Sequence, residues 1–201
     1  MLLEIKRQER YSRAELLLRS VFGFLYIAIP HGLALMFVGI AAGVLQFLAF
    51  WSILFTGRYP ESWFEFQVKY IRWNLRVSAS LFNLVDGYPK FGLNAHHDSI
   101  QFEIPYPESI SRSSVLLRFF FGWLYVMLPH GFILMLLAYA VLFVNFIAFW
   151  AILFTAEYPE SMFEFQVRYL RWSQRVSCYI SYLTHEYPPF SGSSDQQVTT
   201  T

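Results

Sequence analysis

Charge is scarce in this chain. Asp, Glu, Lys and Arg make up only 14% of its 201 residues, against about a quarter in an ordinary soluble domain. Residues 20–56 contain none of the four, and neither do residues 119–155. A single cysteine, Cys178, excludes an intramolecular disulfide, and its expected role is that of a small buried apolar filler. The net charge of +1 offers no basic excess over a whole face, which removes nucleic acid from the expected partners. Catalytic signatures are missing as well: there is no Gly-rich phosphate loop, GxSxG, HExxH or CxxC. The chain therefore reads as a non-enzyme, with no catalytic residue, metal or cofactor expected. Residues 1–10 (MLLEIKRQER) lack an apolar core followed by a small-residue cleavage site, so the first apolar run, and not a removable signal peptide, is expected to drive insertion.

What the chain has in abundance is apolar and written twice. Hydrophobic residues are 56% and aromatic residues 20% of the total. A shift of 99 residues lays Arg19, Gly23, Tyr26, Pro30, His31 and Gly32 on Arg118, Gly122, Tyr125, Pro129, His130 and Gly131. Between positions 55 and 78, 17 of 24 residues are identical to their counterparts, so the chain is a tandem duplication. The period is too long for the 20–50-residue arrays of solenoids. Each unit has the same order: a short strand-like segment (residues 99–104 in the second copy), a long apolar run, a Tyr-Pro-Glu-Ser break, an amphipathic helix and a closing Tyr-Pro turn. Proline at a helix entry followed by glutamate is favourable, because the missing N–H has no partner there anyway.

Each apolar run is 37 residues long. One helix of that length extends about 55 Å, against a hydrocarbon core of about 30 Å. Each run is therefore expected to break. One arrangement is a hairpin turning near residues 39–43 and 138–142; the other leaves the part before Pro30 at the interface, with a single span after it. The hairpin puts all the Arg and Lys that flank the runs on one side, with uncharged loops opposite, as the positive-inside tendency asks. The expected fold is thus an all-α membrane protein of two tandem repeats, 1–91 and 99–190, joined by a connector, 92–98. Each repeat holds a transmembrane helical hairpin (spans 19–38 and 42–57, then 118–137 and 141–156), an interfacial amphipathic helix (60–84, then 159–183) and a short strand-like segment before it. The polar residues 191–201 are expected to be disordered. Expected placement is multi-pass in a bacterial inner membrane, with both termini cytoplasmic.

On the amphipathic helix, Phe64, Val68, Ile71 and Leu75 line up at helical spacing, while Glu65, Lys69, Arg72 and Arg76 share a narrow arc. The second copy repeats the arc with Glu164, Arg168, Arg171 and Arg175. Such a helix is expected in the membrane surface. Lys69, Arg72, Arg76, Arg168, Arg171 and Arg175 would lie among headgroups or partner residues, each basic group worth about 1 kcal/mol near an anionic leaflet. Trp73 and Trp172 suit the headgroup level. The alternative is that the helix packs on its own spans and the strip is merely solvated.

His31 and His130 are the candidate intramembrane polar site, since an ionisable residue inside an apolar run is a functional candidate by default. They could ligate a haem or metal, relay protons, or satisfy a backbone carbonyl freed by the neighbouring proline. Gln46 and Asn145, which also match across the repeat, are expected to bond between helices.

Ile29 to His31, Trp51 to Pro60, Arg72 to Val77 and Tyr88 to Phe91 carry the order Ile-Pro-His, Trp-x-Ile-Leu-Phe-Thr-Gly-Arg-Tyr-Pro, Arg-Trp-x-x-Arg-Val and Tyr-Pro-x-Phe. This resembles a bacterial membrane family known as domain-of-unknown-function family 4389. The second copy departs from it at Leu128, Ala156 and Glu157. The resemblance implies a membrane protein and transfers no catalytic residue. Together these readings lead to an accessory or scaffold subunit of a larger membrane complex, with anionic lipid and other membrane-protein subunits as partners. The alternative is a transporter or channel component using the paired histidines.

Overall fold

The computed structural model describes residues 1–194. Within them the order is β1 (Leu2–Ile5), α1 (Arg13–Gly23), a π-helical turn (Phe24–Ala28), α2 (Ile29–Thr56) and α3 (Glu61–Leu81). The second repeat follows with β2 (Ile100–Glu103), α4 (Arg112–Gly122), a π-helical turn (Trp123–Met127), α5 (Leu128–Thr155) and α6 (Glu160–Ile180).

Local chemistry explains the boundaries. Ser12 caps α1 by accepting the Glu15 N–H, which satisfies one of the free amides of the first turn. Pro30 lies in the first turn of α2, where it lacks an N–H and its ring would crowd the Tyr26 carbonyl four residues back. The backbone widens into a π turn there instead of breaking. Each long helix ends on a residue in the left-handed region, Gly57 (φ 75°) and its counterpart Ala156 (φ 61°). The adjoining Pro60 and Pro159 then stand at the N-caps of α3 and α6, with Glu61 and Glu160 in the first turns.

The expected hairpins do not form. Arg13–Thr56 and Arg112–Thr155 are each one continuous helix of 44 residues, so the separate spans 19–38, 42–57, 118–137 and 141–156 are replaced by two long helices. Residues 39–43 and 138–142 contain no Pro, Asn or Asp to force a turn. Gly39 serves another purpose, because a Cβ there would meet the Tyr70 hydroxyl at 2.9 Å. It is a point of close helix–helix approach.

After Thr56 the chain turns back and α3 runs along α2. Gln67 Nε2 donates to the Ala42 carbonyl at 2.6 Å, Tyr70 lies over Gly39 and Trp73 bonds His31. On the other side, α6 packs on α5. The two halves interlock head to tail: Arg13 donates to the Phe154 carbonyl and Arg112 to the Phe55 carbonyl, so the start of each long helix lies beside the end of the other. β1 and β2 pair antiparallel, from Leu2 opposite Glu103 to Ile5 opposite Ile100. One apolar core joins residues of both halves, including Leu3, Ile53, Leu75, Phe102, Ile152 and Leu183. Two smaller clusters lie around Trp73, where Leu93 of the connector joins the first repeat, and around Trp172 within the second.

Of the tail expected to be disordered, residues 191–194 are held against α6. Arg171 donates to the Gly192 carbonyl at 2.6 Å, and Arg175 to those of Ser191 (3.0 Å) and Ser193 (2.7 Å). Residues 195–201 lie outside the described residues.

Candidate functional site

The two histidines anchor the same aromatic box in each repeat. His31 and His130 project from the first turn of α2 and α5 and are both fully buried. The Trp73 indole donates to His31 Nδ1 at 2.9 Å and the Trp172 indole to His130 Nδ1 at 3.0 Å. With Nδ1 accepting, the neutral ring carries its proton on Nε2. The closing Tyr-Pro segments complete each box. Phe91 lies 4.0 Å from the His31 ring and Phe190 4.0 Å from the His130 ring, centroid to centroid. In the second repeat, His130 Nε2 lies 3.1 Å from the Tyr187 hydroxyl. In the first, Nε2 is buried without a hydrogen-bond partner among the described residues.

The carbonyl freed by the proline does not go to the histidine. Tyr88 donates its hydroxyl to the Tyr26 carbonyl at 3.2 Å, and Tyr187 to the Tyr125 carbonyl at 3.0 Å. Tyr26 and Tyr125 stand four residues before Pro30 and Pro129. Proline, tyrosine, tryptophan and histidine thus form one device that fastens the end of each repeat to its π turn. The histidines are in separate clusters and are not brought together as a pair. Tyr88, Phe91, Tyr187 and Phe190 were missed as functional partners; the recurrence of Tyr-Pro-x-Phe in both copies was the signal that could have found them.

The basic arc is not an outward strip. Arg76 is 3% exposed and donates to the Ala95 and Gly92 carbonyls, each at 2.6 Å. Arg72 donates Nε and Nη2 to the Phe102 carbonyl of β2, both at 3.0 Å. Arg171 does the same to the Leu3 carbonyl of β1 at 3.1 and 3.0 Å. Arg175 is buried against residues 191–193. These four arginines, and the buried Trp73 and Trp172, are therefore corrected from headgroup ligands to internal ties. The strands and the segments after each Tyr-Pro turn cover the arc, and their carbonyls need donors. Of the arc, Arg168 is exposed, facing Glu164 at 3.6 Å, and Lys69 is half-buried.

Arg19 and Arg118 open the uncharged runs, both buried. Arg19 meets Asp86 at 3.0 Å and Glu15 at 3.4 Å. Arg118 instead donates to the Tyr179 and Thr184 carbonyls and lies over the Tyr179 ring. Gln46 Nε2 reaches the Ile180 carbonyl at 3.4 Å, a bond between the repeats. Asn145 finds no partner for Oδ1 among the described residues. Burial pushes the Cys178 thiol up to about 12, so it stays protonated beside Met1 and has no nucleophile character.

The arrangement defines a class: a two-repeat helical protein with two long helices apolar enough to cross a membrane, braced by amphipathic helices and a shared ribbon. The family described as Domain of unknown function (DUF4389) matches residues 13–92 and again residues 112–192, and the chain belongs to that family as a tandem duplicate. No curated protein and no solved structure matches the chain.

Proposed function

We propose that this protein is a non-catalytic membrane scaffold that lies along one leaflet, with the outer faces of its long helices in lipid. The observation that carries the reading is the outer face itself. Large apolar side chains recur along α2 as Leu33, Phe37, Ile40, Val44, Phe47, Trp51 and Phe55, all exposed, with Phe37 at 66% and Phe55 at 71%. The outer side of α5 repeats this with Phe132, Leu136, Tyr139, Phe143, Phe146, Trp150 and Phe154. Continuous apolar surface of this extent is not stable against water and needs a partner.

Direction follows from α3. Its contacts at Ala42, Gly39 and His31 make α2 and α3 share an axis. Glu61 and Glu65 are exposed on α3, and Glu160, Glu164 and Arg168 on α6. If α2 and α5 stood upright, those charges would be carried into the hydrocarbon, at about 2.5–3.5 kcal/mol for each one near its centre. Lying flat avoids that cost. A helix of 44 residues, about 66 Å long, then needs no break. The polar layer of α3, α6 and the ribbon faces water as a platform for other membrane-protein subunits, on the cytoplasmic side of a bacterial inner membrane. Anionic headgroups meet the helix-end arginines, while Lys69 and Arg168 belong to the water-facing layer.

The transporter reading loses support, because each histidine is enclosed with its Nδ1 occupied by an indole. Spin labels placed one at a time at Leu33, Phe37, Ile40, Val44, Phe47 and Trp51 test the seating in phosphatidylcholine–phosphatidylglycerol vesicles. The flat reading expects one shallow depth at all six. A profile that deepens and then shallows along the helix would mean a crossing and overturn it. The scaffold role expects a defined membrane-protein partner to copurify at native expression and to be lost on charge reversal at Glu160, Glu164 and Arg168. Retention of the partner after those changes would remove the platform from the account.

A further inference from the structure

The two repeats are closely matched where the long helices cross, except at one place. Around Phe50 of the first repeat the space is filled: the Phe119 ring stacks on it at 4.3 Å and the Tyr182 ring lies at 6.4 Å. The equivalent of Phe50 is Phe149, and the residues that should fill its side are Ser20 and Asn83, in place of Phe119 and Tyr182. What remains is a cleft of about 420 Å³, lined by Arg19, Ser20, Asn83, Asn145, Phe146 and Phe149 among others. That volume is in the range of small-molecule sites.

Its polar end is unusual. Gln46 satisfies itself on the Ile180 carbonyl. Its counterpart Asn145 lines the cleft, and its buried Oδ1 has no hydrogen-bond partner among the described residues. A buried acceptor left unmade costs about 1–3 kcal/mol, which a guest carrying a donor would recover. The guest's charge is set by Arg19. Its guanidinium is already bonded to Asn83 Oδ1, Glu15 and Asp86, so two carboxylates outweigh one cation and no positive charge is left to attract an anion. The other wall is apolar, and Leu142 and Phe146 belong to the exposed face of α5. The cleft therefore opens on the apolar surface, and a guest enters from there.

We propose that this cleft binds one chain of a neutral, hydroxyl-bearing membrane amphiphile, its polar end at Ser20 and Asn145 and its chain along Phe146 and Phe149. The route of entry rests on the leaflet seating proposed above, while the cleft itself rests on the broken symmetry. In effect, the second repeat plugs the space beside Phe50 of the first, and the first offers only Ser20 and Asn83 beside Phe149.

The probe is a monoacylglycerol with a diazirine in its chain, presented in phosphatidylcholine vesicles to the full-length protein. Cross-linking is expected on the α5 peptide containing Phe146 and Phe149. Ser20→Phe restores the plug without touching the Arg19–Asn83 bond and should lower that cross-link by roughly tenfold, because the added ring occupies the guest's space. The paired change Phe119→Ser with Tyr182→Asn should open the mirror site and create a new cross-link around Phe47 and Phe50. A neutral long-chain alcohol should compete, and the corresponding fatty-acid anion should compete less. Flotation with the vesicles is measured in parallel. Flotation lost in every variant sinks the seating, whereas flotation kept with cross-linking unchanged by Ser20→Phe sinks the cleft. Labelling spread evenly over the exposed face, or better competition by the anion, also overturns the proposal.

Discussion

Replacing Trp73 by phenylalanine removes one N–H from a site that water cannot reach. His31 is fully buried, and its Nδ1 accepts only the indole, at 2.9 Å. A neutral hydrogen bond contributes about 0.5–1.5 kcal/mol net, while an acceptor stranded in the interior costs about 1–3 kcal/mol. Lost contact with Phe91, whose ring is 5.4 Å from that of Trp73, adds to this. The expected destabilisation is about 2–3 kcal/mol, a fall in Tm of roughly 4–12 °C for a chain of this size. Far-UV circular dichroism in a mild detergent reads it without relying on the deleted tryptophan. The decisive measurement is the double-mutant cycle with His31→Leu. Once the acceptor is gone, the indole has nothing to satisfy, so the two changes together should cost about 1–2 kcal/mol less than their sum. Trp172 and His130 repeat the geometry at 3.0 Å and should repeat the coupling. Strict additivity in both repeats would refute the pairing.

The repeats should differ at the next link. Tyr187→Phe strands His130 Nε2 and the Tyr125 carbonyl, whereas Tyr88→Phe loses only one carbonyl contact. Thermal melts should show the former to be worse by about 1–3 kcal/mol, and equal losses would break the account of the box. Arg171→Ala leaves the Leu3 and Gly192 carbonyls without their donor and should destabilise by about 3 kcal/mol or more. Arg168→Ala, at an exposed ion pair, should change stability by less than about 1 kcal/mol. His97 gives a pH dependence: burial holds its imidazole below the ordinary value of 6.5, so the unfolded chain binds the extra proton first. The stability it contributes is complete above about pH 6.5 and is lost as pH falls through the lowered folded value. Melting midpoints of wild type and His97→Asn should converge as the pH is lowered, and parallel curves would exclude the effect.

Much of the architecture was legible in the residues. The 99-residue register, the Tyr-Pro-Glu-Ser breaks, the strand at 99–104 and the amphipathic period of α3 and α6 all depend on local chemistry. The hairpins were not legible: a run longer than one crossing suggests a break, whereas Arg13–Thr56 and Arg112–Thr155 are each continuous. Residues 39–43 offer two glycines but no Pro, Asn or Asp, and Gly39 is there for Tyr70. The basic arc was read correctly as an arc and wrongly as exposed. What covers Arg72 is β2, and what covers Arg171 is β1, a strand 168 residues away in sequence. No periodicity within a helix announces such a pairing. The histidine box lay in between: Pro30 and His31 drew attention, but the donors arrive from Trp73 and the chain closes through Tyr88, both in other segments.

The ribbon has one more consequence. Each strand precedes its own repeat but is clasped by an arginine from the opposite one, so neither half owns all the parts it needs. A nick in the 92–98 connector should leave two fragments that stay associated. Either fragment expressed alone should seek a second copy of itself, because the missing strand can come only from another chain.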